Sequence, residues 1–279
     1  MNNIVFGQYY PSDSVVHRMD PRIKLLAVIL YIVTVFFVVD YAMYAALFLF
    51  VIAVALIAKI PIKVLLRTVR TIIFLVLVTS VINLFFTSGE TLLVHWKFIK
   101  IYKEGIERAI KLALRLILLM LFPSLLTLTT TPMELTDALE SLMSPLKLIK
   151  VPVHAIALIM SIALRMIPIL MEETNKIMLA QKARGADFDT GGALKKAKAM
   201  IPVLVPLFVG AFRRADELAL AMDARCYSSV AKRTKYKVMH LSLKDLVASI
   251  FCLAVFSLAF LNKYLWPFDE MILAFFRSL

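Results

Sequence analysis

Five apolar runs, each about as long as the hydrocarbon layer of a bilayer is thick, constrain this chain more than anything else in it. They cover roughly 23–39, 42–58, 71–87, 109–129 and 243–262. An α-helix rises 1.5 Å per residue, so about 20 apolar residues cross a core of about 30 Å, and a helix satisfies its own backbone there. The first run, IKLLAVILYIVTVFFVV, is opened by Asp20-Pro21, a capping carboxylate followed by a proline suited to the first helical position. A tight break at Asp40-Tyr41 makes the first two runs a hairpin. With 61% hydrophobic and only 18% charged residues, the composition belongs to the membrane class. The expected fold is therefore an all-α membrane protein with about five transmembrane helices.

A formal net charge of +13 raises the possibility of nucleic acid as a partner. The distribution of the charge excludes it, because the basic residues flank apolar runs instead of forming a separate basic, aromatic-laced face. Arg22 and Lys24 sit at one membrane edge, and HRMDPRIKLL reads either as a docking strap against a partner or as a cap with positive anchors. Lys59, Lys63, Arg67 and Arg70 follow the second run, and Lys232 to Lys237 precede the last; both clusters read as cytoplasmic. By alternation residues 88–108 lie outside, with Trp96 and Tyr102 in the aromatic belt, although Lys97, Lys100 and Lys103 run against the positive-inside rule. Trp266 and Phe268 anchor the far end of the last run. Lys111 and Arg115 reach the headgroups from the outer end of the fourth run, or Arg115 pairs inside the bundle. The polar first twenty residues carry no cleavable signal, and Cys226 and Cys252 form no disulfide pattern.

Between the fourth and last runs the pattern changes. Thr131-Pro132-Met133-Glu134 has the form of a capping box and opens a short amphipathic helix that should lie along the interface. Pro145 and Pro152 punctuate the chain after it. A long helical pattern then runs from 153 to 183, apolar to about 170 and polar-faced beyond, with Arg165 in its apolar half. Pro168 predicts a kink, and Glu172 and Glu173 are the nearest acidic partners for basic neighbours. A short basic helical piece over 193–200 is followed by a second long helix over 203–225, with Arg213, Arg214, Asp216 and Glu217 at its middle. The domain reading is 1–130 for the amino-terminal strap and four spans, 131–240 for a cytoplasmic coupling domain of one short and two long amphipathic helices, and 241–279 for the last span and tail.

Both long patterns end in the same small unit, Ala183-Arg184-Gly185 and Ala224-Arg225-Cys226. A helix end carries unpaired carbonyls and partial negative charge, which favours a cation in the last turn. Arginine adds a permanently charged planar fork that suits carboxylates, and small neighbours leave it uncrowded. QKARGADF and ELALAMDARCY resemble the paired Ala-Arg-Gly signatures of the transmembrane coupling subunit, or T component, of energy-coupling factor vitamin transporters. The similarity extends to GQYYPSDSVVHRMDPRIKLL and LTLTTTPMELTDALESL. Cys226 departs from the usual glycine; small and uncharged, it should leave the plug intact, while it puts the glycine-dependent helix end in question.

The resemblance implies two ABC-type ATPase subunits as partners, with ATP and Mg held by them, and a small substrate-binding membrane subunit. It implies that Arg184 and Arg225 plug into the two ATPases. The apolar halves would hold the substrate-binding subunit through Met160, Ile167, Met171, Leu204, Leu207 and Phe208. The implied setting is the cytoplasmic membrane, multi-pass, with the amino terminus and the coupling domain inside. A component dedicated to one substrate of the cobalt, nickel or biotin kind is a second reading, and a stand-alone carrier using Arg115 and Arg165 a third. There is no G-x-x-x-x-G-K-[ST] loop, no G-x-S-x-G elbow, and His17, His95, His154 and His240 follow no metal-ligand spacing. The sequence thus predicts a subunit without catalysis, cofactor or metal of its own.

Overall fold

A computed structural model describes residues 9–87, 89, 91–96, 99–188, 192–227 and 243–265. His240, Lys232 to Lys237, Trp266 and Phe268 lie outside the described residues. In chain order the elements are α1 (Val15–Arg18), α2 (Pro21–Phe37), α3 (Tyr41–Ile57), α4 (Ile62–Phe86), β1 (Leu92–Trp96), β2 (Ile99–Tyr102), α5 (Lys103–Thr129) and α6 (Pro132–Leu142). A 3-10 turn (Ser144–Ile149), α7 (Val153–Ala183), α8 (Ala193–Ala224) and α9 (Leu243–Leu265) complete them. The protein is an all-α membrane protein, its two short strands forming one antiparallel hairpin. Among the described residues three helices, α4, α5 and α7, are long and apolar enough to cross a bilayer, α7 lying outside the five expected spans, and α3 and the Asp245–Leu258 stretch of α9 are shorter apolar helices.

Several boundaries differ from the sequence expectation. The third apolar helix starts at Ile62 rather than 71, so Lys63, Arg67 and Arg70 ride on its first turns. Lysine and arginine are good helix formers whose stems lie along a helix while their heads reach water. The fourth starts at Lys103 rather than 109, with Glu104 in its first turn, where a carboxylate complements the helix dipole. Residues 92–102, expected as loop, pair Leu92 with Tyr102 and Trp96 with Ile99. The separate basic piece at 193–200 does not exist, because α8 runs unbroken from Ala193 through Pro202 and Pro206.

The chain divides into two compact units, Met1–Ala138 with Met239–Leu279, and Leu139–Val238. In the first, α2, α3, α5 and α9 close around an aromatic cluster. Tyr31 is fully buried and stacks on Phe122 with ring centroids 4.3 Å apart, Phe50 lies 5.5 Å from Phe122, and Phe256 meets Tyr31 edge-on at 6.1 Å. Such pairs add stability beyond the area they bury.

Polar groups in this unit tie helix ends together. The Asp20 carboxylate accepts the Arg22 backbone N–H at 2.9 Å, the cap predicted from Asp20-Pro21. Lys24 is buried and donates to the carbonyls of His17 and Thr129 and to the Thr130 hydroxyl. Asp245 at the start of α9 accepts the Asp20 N–H at 3.1 Å. Arg115 donates to the Val38 carbonyl at the end of α2 and to the Tyr44 hydroxyl, so it caps a helix within the bundle. A cation at a helix C-terminus is favourably placed against the dipole.

Residues 9–20 bind back onto the bundle. The Tyr10 N–H donates to Leu128, and the Ser12 hydroxyl donates to Ala58 at the end of α3. The Arg18 guanidinium grips Asp13 with two bonds of 2.7 and 2.8 Å and holds that carboxyl below its ordinary range. The strap thus satisfies carbonyls that α3 and α5 leave open at their ends.

The capping box of α6 closes as predicted: Thr131 accepts the Glu134 N–H, and Glu134 accepts the Thr131 N–H. In the second unit α7 and α8 pack against each other, and the helix of α7 continues through Pro168.

Candidate functional site

The two Ala-Arg-small units form one and the same turn. α7 ends at Ala183, Arg184 is the cap at φ −84°, and Gly185 is left-handed at φ +88°. The Gly185 N–H donates to Lys182 at 3.0 Å and the Ala186 N–H to Gln181 at 3.0 Å. α8 ends at Ala224, Arg225 is the cap at φ −93°, and Cys226 is left-handed at φ +56°. The Cys226 N–H donates to Asp223 at 2.9 Å and the Tyr227 N–H to Met222 at 3.0 Å. Each is a Schellman motif, which satisfies two carbonyls that the helix leaves open.

Cys226 therefore does not alter the second helix end. It adopts the glycine conformation at a backbone cost of about 1–2 kcal/mol for a residue carrying a β-carbon. Nothing lies within 4 Å of where a β-carbon on Gly185 would sit, so glycine serves the backbone angle there and not the space. Arg184 and Arg225 are exposed, and among the described residues neither guanidinium meets a carboxylate of its own chain. The arrangement offers two exposed planar forks, each at the negative end of a long helix.

α7 and α8 run antiparallel. Gln181 reaches the Pro202 carbonyl at 3.4 Å, and Glu173 accepts from Arg214 at 2.8 Å. The first contact also explains the unbroken α8: Pro206 has no N–H to give the carbonyl four residues back, and that carbonyl belongs to Pro202. Beside the ion pair, the Glu173 carboxylate lies 3.0 Å from where a β-carbon on Gly210 would stand, so Gly210 lets α7 approach. Sequence reasoning missed Gln181 and Gly210; each matters only once the antiparallel register is known. Since each Arg caps a C-terminus, the antiparallel pair puts Arg184 beside the start of α8 and Arg225 at its far end. With 32 residues α8 is about 48 Å long.

The six apolar residues singled out on these helices are divided in exposure. Met160, Met171, Leu204 and Phe208 are exposed, and Ile167 and Leu207 are half-buried. Ile201, Val205, Val209 and Phe212 extend the exposed stripe on α8. Arg165 is exposed and, among the described residues, forms no ion pair. Glu172 is exposed as well, so Glu173 alone meets Arg214. Among the described residues no three His, Cys, Asp or Glu side chains cluster as metal ligands.

An apolar helical bundle joined in one chain to two long amphipathic helices with exposed arginine caps is the architecture of a membrane protein, and similarity to known proteins specifies which kind. The cobalt transport protein family, CbiQ, matches residues 12–236, which include both arginine units. The energy-coupling factor transporter transmembrane protein EcfT of Clostridium kluyveri is 45% identical over 267 residues, 95% of this chain and 99% of the relative. EcfT of Acidaminococcus fermentans is 48% identical over 263 residues, covering 94% and 98%. EcfT of Bacillus subtilis is 45% identical over 256 residues, covering 91% and 97%. The chain belongs to this family, the transmembrane T components of energy-coupling factor transporters.

Proposed function

We propose that this T component couples two ABC-type ATPase subunits to a small substrate-binding membrane subunit, and so drives uptake of a vitamin or other micronutrient. The observation that carries this reading is the pair of identical turns, each presenting an exposed arginine that pairs with no carboxylate among the described residues, at the end of its own helix. Each guanidinium enters an acidic groove of one ATPase, with Ala183 and Gly185, or Ala224 and Cys226, leaving it room. ATP and Mg are held by those partners, and this chain performs no catalysis. ATP-driven approach of the two ATPases changes the crossing of α7 and α8. The exposed apolar stripe, including Met160, Met171, Leu204 and Phe208, passes the change to the substrate-binding subunit. In this reading residues 131–240 are the cytoplasmic coupling domain, the amino terminus is inside, and five spans put the carboxyl terminus outside the cytoplasmic membrane. The family's description as a cobalt transport protein favours a second version, a component dedicated to a single substrate.

Co-purification from the native membrane in mild detergent tests the coupling role. The double variant Arg184→Glu/Arg225→Glu inserts normally and loses the ATPases, while each single variant is impaired. Breaking a buried bidentate pair costs about 3–5 kcal/mol, on the order of a hundredfold or more in affinity. Normal ATPase recovery with the double variant overturns the assignment. The number of different small membrane proteins recovered separates a shared from a dedicated component. Cys226 is exposed, so an impermeant thiol reagent labels it from the cytoplasmic side only; labelling from outside intact cells overturns the orientation.

A further inference from the structure

The first unit contains a second feature that the arginine units do not use. A cavity of about 570 Å³ opens among α1, α2, α3, α5 and α9. Three alanines on three helices, Ala27, Ala53 and Ala248, hollow it out, and Val54, Phe251 and Cys252 continue its wall. Its inner end is closed by Phe50 and Phe122, which belong to the aromatic cluster. Lys24 and Thr129 are the polar residues in the lining, and both are committed, the ammonium of Lys24 to the Thr129 carbonyl and the Thr129 hydroxyl to Leu125. A polar ligand would find no partner along this wall, and burying its polar groups there is costly.

At the other end the character reverses. Val15, Met19 and Ile57 line this cavity and also a second one of about 470 Å³, whose remaining lining is Asp13, Ser14, Arg18, Lys59 and Asp245. Arg18 gives Nε and Nη2 to Asp13 and keeps Nη1 uncommitted among the described residues. Lys59 is exposed and, among the described residues, forms no ion pair. The polar compartment therefore carries two cations and two carboxylates beside an apolar slot of ligand-sized volume.

We propose that this bipartite groove is a binding site for a zwitterionic glycerophospholipid, with one acyl chain in the alanine-walled slot and the headgroup in the Asp13–Arg18–Lys59 compartment. The phosphate lies toward Lys59 and Arg18, and the headgroup amine toward Asp13. The balanced charge selects a zwitterionic over an anionic headgroup, and the chain's place in the bilayer supplies the ligand. Arginine and lysine are suited to phosphate, and the apolar wall excludes water from the tail.

The test uses the full chain in nanodiscs containing a phosphatidylethanolamine with a photoactivatable acyl chain, or the matching phosphatidylglycerol, with adducts mapped by peptide mass spectrometry. Wild-type protein gives phosphatidylethanolamine adducts concentrated in 50–57 and 245–256. Ala53→Phe, which fills the slot, cuts them about tenfold, of the order set by losing a well-fitted pocket. Adducts on the exposed face of α4, around Phe74, stay unchanged and report that the variant is folded and inserted. Lys59 has φ +56°, so Lys59→Gly removes the charge in a conformation glycine accepts, and it lowers the yield about threefold without a folding penalty. Adducts spread evenly over all exposed helix faces, or indifferent to Ala53→Phe, overturn the site. Equal yield from phosphatidylglycerol overturns the headgroup assignment.

Discussion

The bundle of the first unit and the α7–α8 pair of the second both carry many large apolar side chains, yet they handle that surface in opposite ways. The bundle turns an aromatic cluster inward, with Tyr31 fully buried and Phe50, Phe122 and Phe256 nearly so, although Phe36, Phe48 and Phe251 face outward. The pair turns its aromatic residues outward, with Phe208 and Phe212 more than half exposed and, among the described residues, only Val153 and Val203 of its large side chains buried. Apolar content alone therefore does not say where a helix finds its stability. The bundle helices are held by one another, and the pair needs something else against it, whether lipid or protein.

The sharpest way to break this contrast is to truncate one aromatic on each side. Tyr31→Ala should lower stability by about 3–5 kcal/mol in thermal unfolding of the purified chain, and Phe212→Ala should stay within about 0.5 kcal/mol. Equal losses would mean that the α8 face is packed in the free protein. A smaller effect is expected at Arg115, whose two bonds close the end of α2. Arg115→Leu should cost about 2 kcal/mol, and Tyr44→Phe, which removes one partner and a bond to the same carbonyl, about 1 kcal/mol. No loss for Arg115→Leu would show that its side chain lies among the headgroups instead. The smallest effects sharpen the comparison within the pair. Gly185→Ala should lose about 1 kcal/mol and Cys226→Gly should gain about as much, both read as local hydrogen-exchange protection of 181–186 and 222–227. Opposite signs are the signature of two turns with the same geometry and different residues.

What could be read from sequence followed the range of the forces involved. Local devices were legible: the Asp20 cap, the Thr131–Glu134 box, and an Arg with a small residue at each long helix end all act within a few residues. The apolar character of α3, α4, α5 and α9 was legible from length and composition, although α4 and α5 start earlier where lysines and arginines extend a helix beyond its apolar part, and α7, expected in the cytoplasmic domain, is itself apolar enough to cross a bilayer. Whether Cys226 could close the second helix end was not legible, because the preference for glycine is a matter of about 1–2 kcal/mol, which two hydrogen bonds can outweigh. Long-range partners were out of reach. Lys24 meets Thr129, Asp20 meets Asp245, and Gln181 meets the carbonyl that Pro206 leaves free, and each pairing exists only after the helices have found their register.

The contact of Glu173 with Gly210 has a mechanical side. In the coupling motion proposed above it would serve as a pivot, with the helix segments beyond it as lever arms of unequal length. From Gly210 to Arg225 there are 15 residues, and from Glu173 to Arg184 there are 11, which makes arms of about 22 and 16 Å. A 10° change in the crossing would carry the Arg225 tip about 4 Å and the Arg184 tip about 3 Å, while the residues at the pivot barely move. The same ratio works in reverse: in the proposed coupling, force applied at the two tips would arrive at the crossing as torque, with Gly210, which has no side chain to collide with Glu173, as the bearing.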